Sequence, residues 1–307
     1  MDSITHTQEF ETAISVRPHS SHTYNASLSS DWAIGDAPHG GYLAALLMRV
    51  SMTHFRHTHT NRHGGDAQPI NLAITFLRRC SVGSAQIEVN DLKLGQKISV
   101  IQLTLRQHDG DKLVANVIMS NLGTEKGHTV VPTDNFKGPS KELSDGNTWQ
   151  RVDIPHPQFR RAPAHVEVHQ PTQKKCTVVE TGMHWEQCAL LRWQQADRII
   201  HGRWTNEAAG FLLDVFPAPL AELEEQVNAT KGESHPVWFP TLSLNIDFKA
   251  PIGEAGLDML YSCINIQSIR NGRMDIRVKL HNERGQLLAI GNHCTLITSP
   301  TQAQGKL

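Results

Sequence analysis

The stretch that decides the fold is Pro38-His39-Gly40-Gly41-Tyr42-Leu43-Ala44-Ala45-Leu46-Leu47-Met48-Arg49-Val50. It starts with two glycines, and residues 42–50 are apolar on nearly every side apart from Arg49. A helix that is apolar all round is buried rather than lying at a surface. The sequence therefore predicts a buried helix, which needs a sheet wrapped around it to form a core.

A second segment of the same kind lies in the later half of the chain. Residues 208–216, Ala-Ala-Gly-Phe-Leu-Leu-Asp-Val-Phe, are apolar around a single carboxylate, Asp214, and Pro217 closes the run. They predict a second buried helix, with Asp214 on it.

Each predicted helix is followed by the same series of strands. The stretches 70–76 and 242–248 both alternate apolar residues with small or polar ones and end in Phe, which is typical of a half-buried strand. Three further pairs of strands match in order: 86–94 with 258–266, 98–105 with 273–280, and 112–120 with 286–294. Each half therefore reads as one buried helix wrapped by an antiparallel meander.

The predicted fold class is α+β, with two buried helices that are each wrapped by a curved antiparallel sheet. The predicted domains are residues 1–123 and 162–307, joined by residues 124–161, which are rich in Pro, Gly, Ser, Asp and Lys and show no clear period. In the second domain, Trp185, Trp193 and Trp204 are expected as anchors of the core or of an interface.

Composition excludes several classes of function. The 307 residues carry a net charge of −1, so there is no global basic field to bind nucleic acid or an anionic membrane. No apolar run reaches the roughly 18 residues of a membrane span, and no signal peptide is visible. The five cysteines are scattered without any CxxC, which indicates reduced thiols inside a cell. We expect a cytoplasmic protein; the terminal Gly305-Lys306-Leu307 resembles a peroxisomal address except for its glycine, and keeps that compartment as an alternative.

At these motifs the chain resembles the double-hotdog acyl-CoA thioesterases. The stretches 32–35, 38–42 and 239–248 look like the thioesterase-like superfamily, which is related to the type II acyl-CoA thioesterases and is common in fungal biosynthetic gene clusters. The resemblance covers residues 15–297 and implies a tandem double hotdog. It also implies hydrolysis of a thioester that links a fatty or polyketide acyl group to coenzyme A or to an acyl carrier protein, with no metal and no other cofactor.

The resemblance implies catalytic residues in the second hotdog. The family builds its hydrolytic site from Asp, Thr and Gln, and these positions fall on Asp214, Thr241 and His293. Histidine replaces glutamine at the third position. It can hydrogen-bond a water as glutamine does, but it also titrates.

The internal repeat tests these three positions. Their counterparts in the first half are inert or apolar: Ala45, Pro69 and Met119. Only the later half therefore carries polar groups at these places, as expected if one copy holds the site. Burial should raise the pKa of Asp214 unless hydrogen-bond donors compensate. Each residue also has a purely structural alternative. Asp214 could be hydrogen-bonded to a loop, His293 could be a satisfied core histidine, and Thr241 could be a strand-start residue on the polar face.

The start of the first helix offers a substrate-binding loop. His39, Gly40, Gly41 and Tyr42 are its residues, and backbone N–H groups at a helix start can polarise a thioester carbonyl. The alternatives are a tight turn or close helix–sheet packing at the glycines, with His39 capping the helix.

Two other groups of residues carry open alternatives. The histidines His54, His57, His59 and His63 have no Cys or acidic partner at ordered spacing, so we expect a helix end and polar loop rather than a metal site. Three basic pairs either bind the phosphates of coenzyme A or lie on solvated strand ends: Arg78-Arg79, Arg160-Arg161 and Lys174-Lys175.

The sequence therefore predicts a thioester hydrolase, with a homo-oligomer left open. One alternative is a hotdog enzyme that dehydrates or cyclises a bound acyl group, since a His–Asp pair can move protons to and from carbon. The other is an acyl-binding subunit without catalysis.

Overall fold

A computed structural model describes residues 8–130, 148–172, 177–179, 182–195, 197–231 and 236–298. The elements of the first half are α1 (Phe10–Ala13), β1 (Val16–Ser20), β2 (Thr23–Leu28), β3 (Ala33–Ile34), β4 (Ala37–Pro38), α2 (Gly40–Thr58), a 3₁₀ turn (Arg62–Gly65), β5 (Gln68–Phe76), β6 (Gly83–Leu94), β7 (Ser99–Gln107) and β8 (Gly110–Ser120). Those of the second half are β9 (Trp149–Arg151), α3 (Arg161–Ala164), β10 (Val166–Pro171), β11 (Thr177–Val179), β12 (Gly182–Gln195), β13 (Arg198–His201), α4 (Asn206–Leu212), α5 (Pro217–Lys231), β14 (Thr241–Phe248), β15 (Leu260–Ile266), β16 (Ile269–Arg270), β17 (Arg273–His281) and β18 (Leu287–Leu296).

One antiparallel sheet runs through both halves. In the described part of the chain sixteen strands belong to it, in the order β1-β2-β6-β7-β8-β5-β14-β18-β17-β15-β12-β10-β9, with β11 and β13 paired to β12 and β16 paired to β17. The four strands predicted in each half are present, but only three of each four form a meander, β6-β7-β8 and β15-β17-β18. The first strand of each set pairs with the last, β5 with β8 and β14 with β18. The two sets join edge to edge at the middle of the sheet, where Asn245 of β14 lies opposite Ala73 of β5.

Helix α2 is the buried helix that the sequence predicts, and it is longer than its apolar stretch. It runs over Gly40–Thr58, and its buried residues extend from Gly41 to Phe55. The one charge within the apolar stretch, Arg49, is paired: its Nε donates to Oε1 of Glu207 on α4 at 3.0 Å. The pair explains how a charged residue is accommodated on an otherwise buried helix.

The second buried helix ends earlier than predicted. Helix α4 stops at Leu212, and Asp214 lies in the turn that follows, where its N–H donates to the carbonyl of Phe211 at 3.1 Å in a tighter 3₁₀ arrangement. Pro217 does not close this helix but begins α5. Proline lacks a donor N–H, so it fits the first turn of a helix as well as it ends one.

Two further predictions meet a mixed outcome. The expected irregular connection contains β9, which extends the sheet beside β10. Trp185 and Trp204 are core residues, whereas Trp193 is half-buried on the pair formed by β12 and β13. Within the described residues no helix has both the length and the apolarity of a membrane span.

Candidate active site

The start of α2 packs directly against the end of α4. A Cβ on Gly41 would lie 2.4 Å from the carbonyl oxygen of Phe211, and a Cβ on Gly40 would lie 2.7 Å from Oδ2 of Asp214. Real side chains do not approach so closely, so glycine is required at both positions. The close-packing alternative therefore applies, but the partner is the second helix and not the sheet.

This contact brings Asp214 together with two histidines from different halves. Oδ2 of Asp214 accepts a hydrogen bond from Gly41 N at 2.7 Å and lies 3.6 Å from Nδ1 of His39. Oδ1 lies 3.3 Å from Nδ1 of His293. Only 8% of Asp214 is exposed. A carboxylate buried to this degree is stable only because positive or polar partners surround it.

The surroundings of Asp214 hold it in the ionised form. Burial alone would raise the pKa of Asp214, but the imidazoles of His39 and His293 and the N–H of Gly41 outweigh burial and leave the pKa below its ordinary value. The rise expected for an uncompensated carboxylate does not occur, because the donors come from α2 and β18. At neutral pH the side chain is thus a carboxylate.

His39 caps α2, and its burial favours the neutral ring. Its Nδ1 accepts a hydrogen bond from Gly41 N at 3.2 Å, and burial lowers the pKa of His39, with the opposing attraction of Asp214 as the second cause. With Nδ1 acting as an acceptor, we assign the proton of the neutral ring to Nε2. His39 therefore both caps the helix and lies against the carboxylate.

His293 lies behind Asp214. The prediction that it points inward is confirmed, since it is buried on β18. Its Nε2 donates to the carbonyl of Leu213 at 3.0 Å while Nδ1 faces Asp214. Gly291 leaves room for this contact, because a Cβ there would meet Leu213 at 3.2 Å. Both ring nitrogens lie against the turn after α4.

A cavity of about 170 Å³ opens beside the carboxylate, between the two halves. Four of its lining residues are sequence-predicted candidates: His39, Gly40, Asp214 and Thr241. Apolar side chains make up much of the remaining wall: Leu43, Phe76, Phe216, Leu220, Phe239 and Leu242. The cavity thus combines an apolar wall with a few polar groups at one place, which is typical of a small-molecule site.

Thr241 reaches this cavity from the first position of β14. It shares the strand's polar parity with Ser243, as the sequence indicates, yet the pairing of β14 with β18 shifts register between these two residues. A bulge of this kind re-aims a side chain.

Tyr42 lies elsewhere. Its hydroxyl donates to the carbonyl of Ala13 at 2.8 Å in the core, and burial raises its pKa to about 12. It is fully buried and does not line the cavity.

The basic pairs have different environments. Arg78 and Arg79 line both the cavity and an open surface groove, and the guanidinium of Arg79 lies 5.0 Å above the ring of Trp238. Arg160 is buried and makes two hydrogen bonds of 2.9 Å to the carboxylate of Glu224 on α5.

Arg161 does not line the cavity. It donates to the backbone carbonyls of Ser30 and Gly35. Lys174 and Lys175 lie outside the described residues, as does the C-terminal Gly305-Lys306-Leu307.

No pattern in the sequence links His39 with Asp214. They meet because α2 and α4 cross, at Gly210 among other places, where a Cβ would lie 2.7 Å from the sulfur of Met48. Glycines at matching places in two apolar segments were the available signal for this crossing.

Two family models match the chain in tandem. An acyl-CoA thioesterase N-terminal domain matches residues 28–121, and an acyl-CoA thioesterase C-terminal domain matches residues 146–297. The chain is also 26% identical to the thioesterase-like protein TwmA of Talaromyces wortmannii over 336 aligned positions, which cover 93% of this chain and 91% of that protein. It is 28% identical over 141 positions to the ustilagic acid biosynthesis cluster protein orf2 of Mycosarcoma maydis, covering 44% of this chain and 33% of that protein.

Solved structures show the same architecture. A conserved protein of unknown function with a hot dog fold from Alicyclobacillus acidocaldarius superposes with a TM-score of 0.70 at 18% identity, covering 96% of this chain and 99% of that one. This likeness confirms the predicted double hotdog. With both family models matched in order, the chain belongs to the acyl-CoA thioesterase family.

Proposed function

We propose that this chain hydrolyses acyl thioesters and that Asp214 activates the attacking water. The observation that carries the proposal is an ionised carboxylate on the wall of an apolar cavity, directly beside the start of a buried helix.

The reaction takes place in two steps. Asp214 accepts a proton from water while the water oxygen attacks the thioester carbonyl carbon, and the carbonyl becomes an oxyanion. When the tetrahedral intermediate collapses, the C–S bond breaks and the leaving thiolate takes the proton back from the Asp214 carboxyl. The products are a free acid and a free thiol, and the carboxylate is regenerated.

The helix start supplies the group that stabilises the oxyanion. Gly41 N–H is already donated to Asp214, which leaves Gly40 as the candidate. Gly40 is the first residue of α2 and lines the cavity. The N–H of a first helical residue has no acceptor within its own helix, and the helix dipole favours negative charge there. The position of Thr241 suits a hydroxyl that orients the water.

The basic groove favours coenzyme A as the thiol part of the substrate. Arg78 and Arg79 are shared between the cavity and the groove, which Arg161 also lines. Of the groove's two carboxylates, Asp109 is paired with the buried Lys112 and Asp36 lies 3.8 Å from Arg79. Guanidinium groups bind phosphate oxygens strongly. We therefore place the phosphates of coenzyme A in the groove and the acyl chain in the apolar cavity, with a carrier-protein thioester as the alternative substrate.

The acyl group is proposed from the relatives. The name of the Mycosarcoma maydis relative places that protein in a biosynthesis cluster. We accordingly propose a fatty or polyketide acyl group in secondary metabolism for this chain.

Thiol release from a panel of acyl-CoA substrates of increasing chain length tests the proposal. Mass spectrometry of the products separates the readings: free acid supports hydrolysis, a product that is lighter by one water and still thioester-linked supports dehydration or cyclisation, and unchanged substrate supports an acyl-binding subunit.

A second comparison tests the groove. Arg79→Gln should raise KM for acyl-CoA and leave KM unchanged for the matching acyl-N-acetylcysteamine, which lacks phosphates. Equal effects on both substrates would exclude phosphate binding by Arg79.

A further inference from the structure

Histidines surround one carboxylate at the opposite end of α2. The Nε2 atoms of His22, His54 and His59 lie 3.2, 3.0 and 2.8 Å from the carboxylate oxygens of Asp91. His54 is on α2 and His59 follows its last residue, whereas His22 comes from the turn between β1 and β2 and Asp91 comes from β6. The sequence spacing of the histidines shows no acidic partner, because Asp91 is distant in sequence and reaches them from the sheet.

We propose that His22, His54 and Asp91 bind a divalent transition-metal ion of the kind that prefers imidazole, such as Zn²⁺. One ligand atom from each of these residues lies within 4.8 Å of the others. Tetrahedral Zn²⁺ with bonds of about 2.0–2.1 Å separates neighbouring ligand atoms by roughly 3.3 Å. Nε2 of His54 lies 3.0 Å from Oδ1 of Asp91, and Nε2 of His22 lies 3.2 Å from Oδ2. Both distances are close to that value, so small movements of the side chains admit an ion that the carboxylate binds through one or both oxygens.

The other ring nitrogens are held in the manner of metal ligands. Nδ1 of His54 lies 3.1 Å from the carbonyl oxygen of Ser21 and 3.1 Å from the hydroxyl of Tyr24. Nδ1 of His22 lies 2.8 Å from the hydroxyl of Ser21. Metal-binding histidines commonly use their second nitrogen in this way, which fixes the ring and the tautomer.

One tautomer of His54 suits metal binding. A neutral imidazole has one N–H, and if Nδ1 donates it to the Ser21 carbonyl, Nε2 presents a lone pair to the Asp91 carboxylate. In this tautomer Nε2 and a carboxylate oxygen can both bind one ion. His59 remains as the hydrogen-bond donor to the second carboxylate oxygen of Asp91.

The exposure of the three proposed ligands increases from His54 to His22, which gives an ion a route into the site. The side chain of His54 is fully buried, that of Asp91 is 17% exposed and that of His22 is 42% exposed. An ion therefore enters from the His22 side, and water completes its coordination.

The site is separate from the proposed catalytic centre. Gly41 and His54 are thirteen residues apart on α2, a distance of roughly 20 Å along a helix that rises about 1.5 Å per residue. Bound metal would clamp the end of α2 to β6 and to the turn before β2, so its role is structural and it takes no part in thioester cleavage.

Zinc binding by the full chain tests the proposal. The protein is stripped with a chelator, dialysed against Zn²⁺ and analysed for bound metal by elemental analysis and for thermal unfolding. We expect one Zn²⁺ per chain and a rise of several degrees in the unfolding midpoint. Asp91→Asn and His22→Gln should abolish the bound zinc and the rise in the midpoint. The side chains that they replace are 17% and 42% exposed. Ser21→Ala should weaken binding by roughly ten-fold.

His57→Gln is the matched control, since His57 is an exposed histidine on the same helix. Bound zinc that survives Asp91→Asn, or that is lost in His57→Gln, would show an adventitious surface site and overturn the proposal, as would the absence of stoichiometric zinc. Tetrahedral Co²⁺ gives visible absorption bands, which serve as a second readout and should vanish in the same two variants. If the bands persist there, the assigned ligands are wrong.

Discussion

Replacement of Asp214 by Asn is the sharpest test of the catalytic arrangement. An amide keeps an oxygen where Oδ2 accepts from Gly41 N at 2.7 Å, so the contact between α2 and α4 survives. The negative charge and the ability to take a proton from water are lost. Loss of a general base lowers the rate by about 10²–10⁴-fold, which corresponds to about 2.7–5.5 kcal/mol of activation free energy at about 1.36 kcal/mol per tenfold.

The effect on stability is smaller and depends on pH. A hydrogen bond to a charged acceptor contributes about 1.5–3 kcal/mol and a neutral one about 0.5–1.5 kcal/mol, so Asp214→Asn should lower the free energy of unfolding by roughly 1 kcal/mol at pH 7. Because the folded-state pKa of Asp214 is lowered, its contribution is present above the ordinary pKa of about 3.9 and is lost as pH falls through the folded value. The stability difference between the two proteins should therefore vanish in strong acid.

The assay follows thiol release from the best acyl-CoA of the panel, with circular dichroism and thermal unfolding on the same preparations. Asp247→Asn is the matched control, since Asp247 lies on the polar face of β14 and bonds Lys249. A well-folded Asp214→Asn protein whose kcat/KM falls by less than about tenfold would refute Asp214 as the base.

Three further changes test other parts of the structure. Glu224→Gln should lower the free energy of unfolding by about 3–5 kcal/mol in urea denaturation, because it leaves the buried guanidinium of Arg160 unpaired, whereas the exposed neighbour Glu225→Gln should change it little. Gly210→Ala should lower the free energy of unfolding by about 1–3 kcal/mol in the same assay, because the new Cβ would lie 2.7 Å from the sulfur of the fully buried Met48 on α2. Because burial lowers the pKa of His39, the folded protein binds fewer protons than the unfolded chain just below pH ~6.5. Unfolding titrations should therefore show that the free energy of unfolding decreases as the pH is lowered through this range, and that it decreases less steeply in His39→Gln. An unchanged slope in that variant would contradict the buried, neutral His39.

The parts of the fold that the sequence predicts are those set by local periodicity. The apolar run after Gly41 and the alternation along β14 and β17 record burial directly, because each side chain's face follows from its place in a helix or strand. The end of the second helix was misplaced because Pro217 fits both the end of one helix and the beginning of the next. The period-two alternation of β18 correctly predicts that His293 points inward.

The site depends on contacts that periodicity does not encode. His39 meets Asp214 through the crossing of two helices whose sequence separation carries no signal. His22 and Asp91 meet His54 only because the sheet brings β6 and the turn before β2 to one end of α2. In both places the charge state of a side chain depends on a residue that is distant in sequence. The lowered pKa of Asp214 therefore follows only from the structure.

The inward position of His293 depends on the register of β18 with its two neighbouring strands. On this strand Leu244 of β14 and Ile276 of β17 lie opposite His293. A slip of one position would turn the imidazole to the outer surface and leave Asp214 without its neighbour. Such a mispaired molecule would keep its strand content and its circular dichroism spectrum. Refolded preparations of this protein therefore need an activity assay as well as circular dichroism.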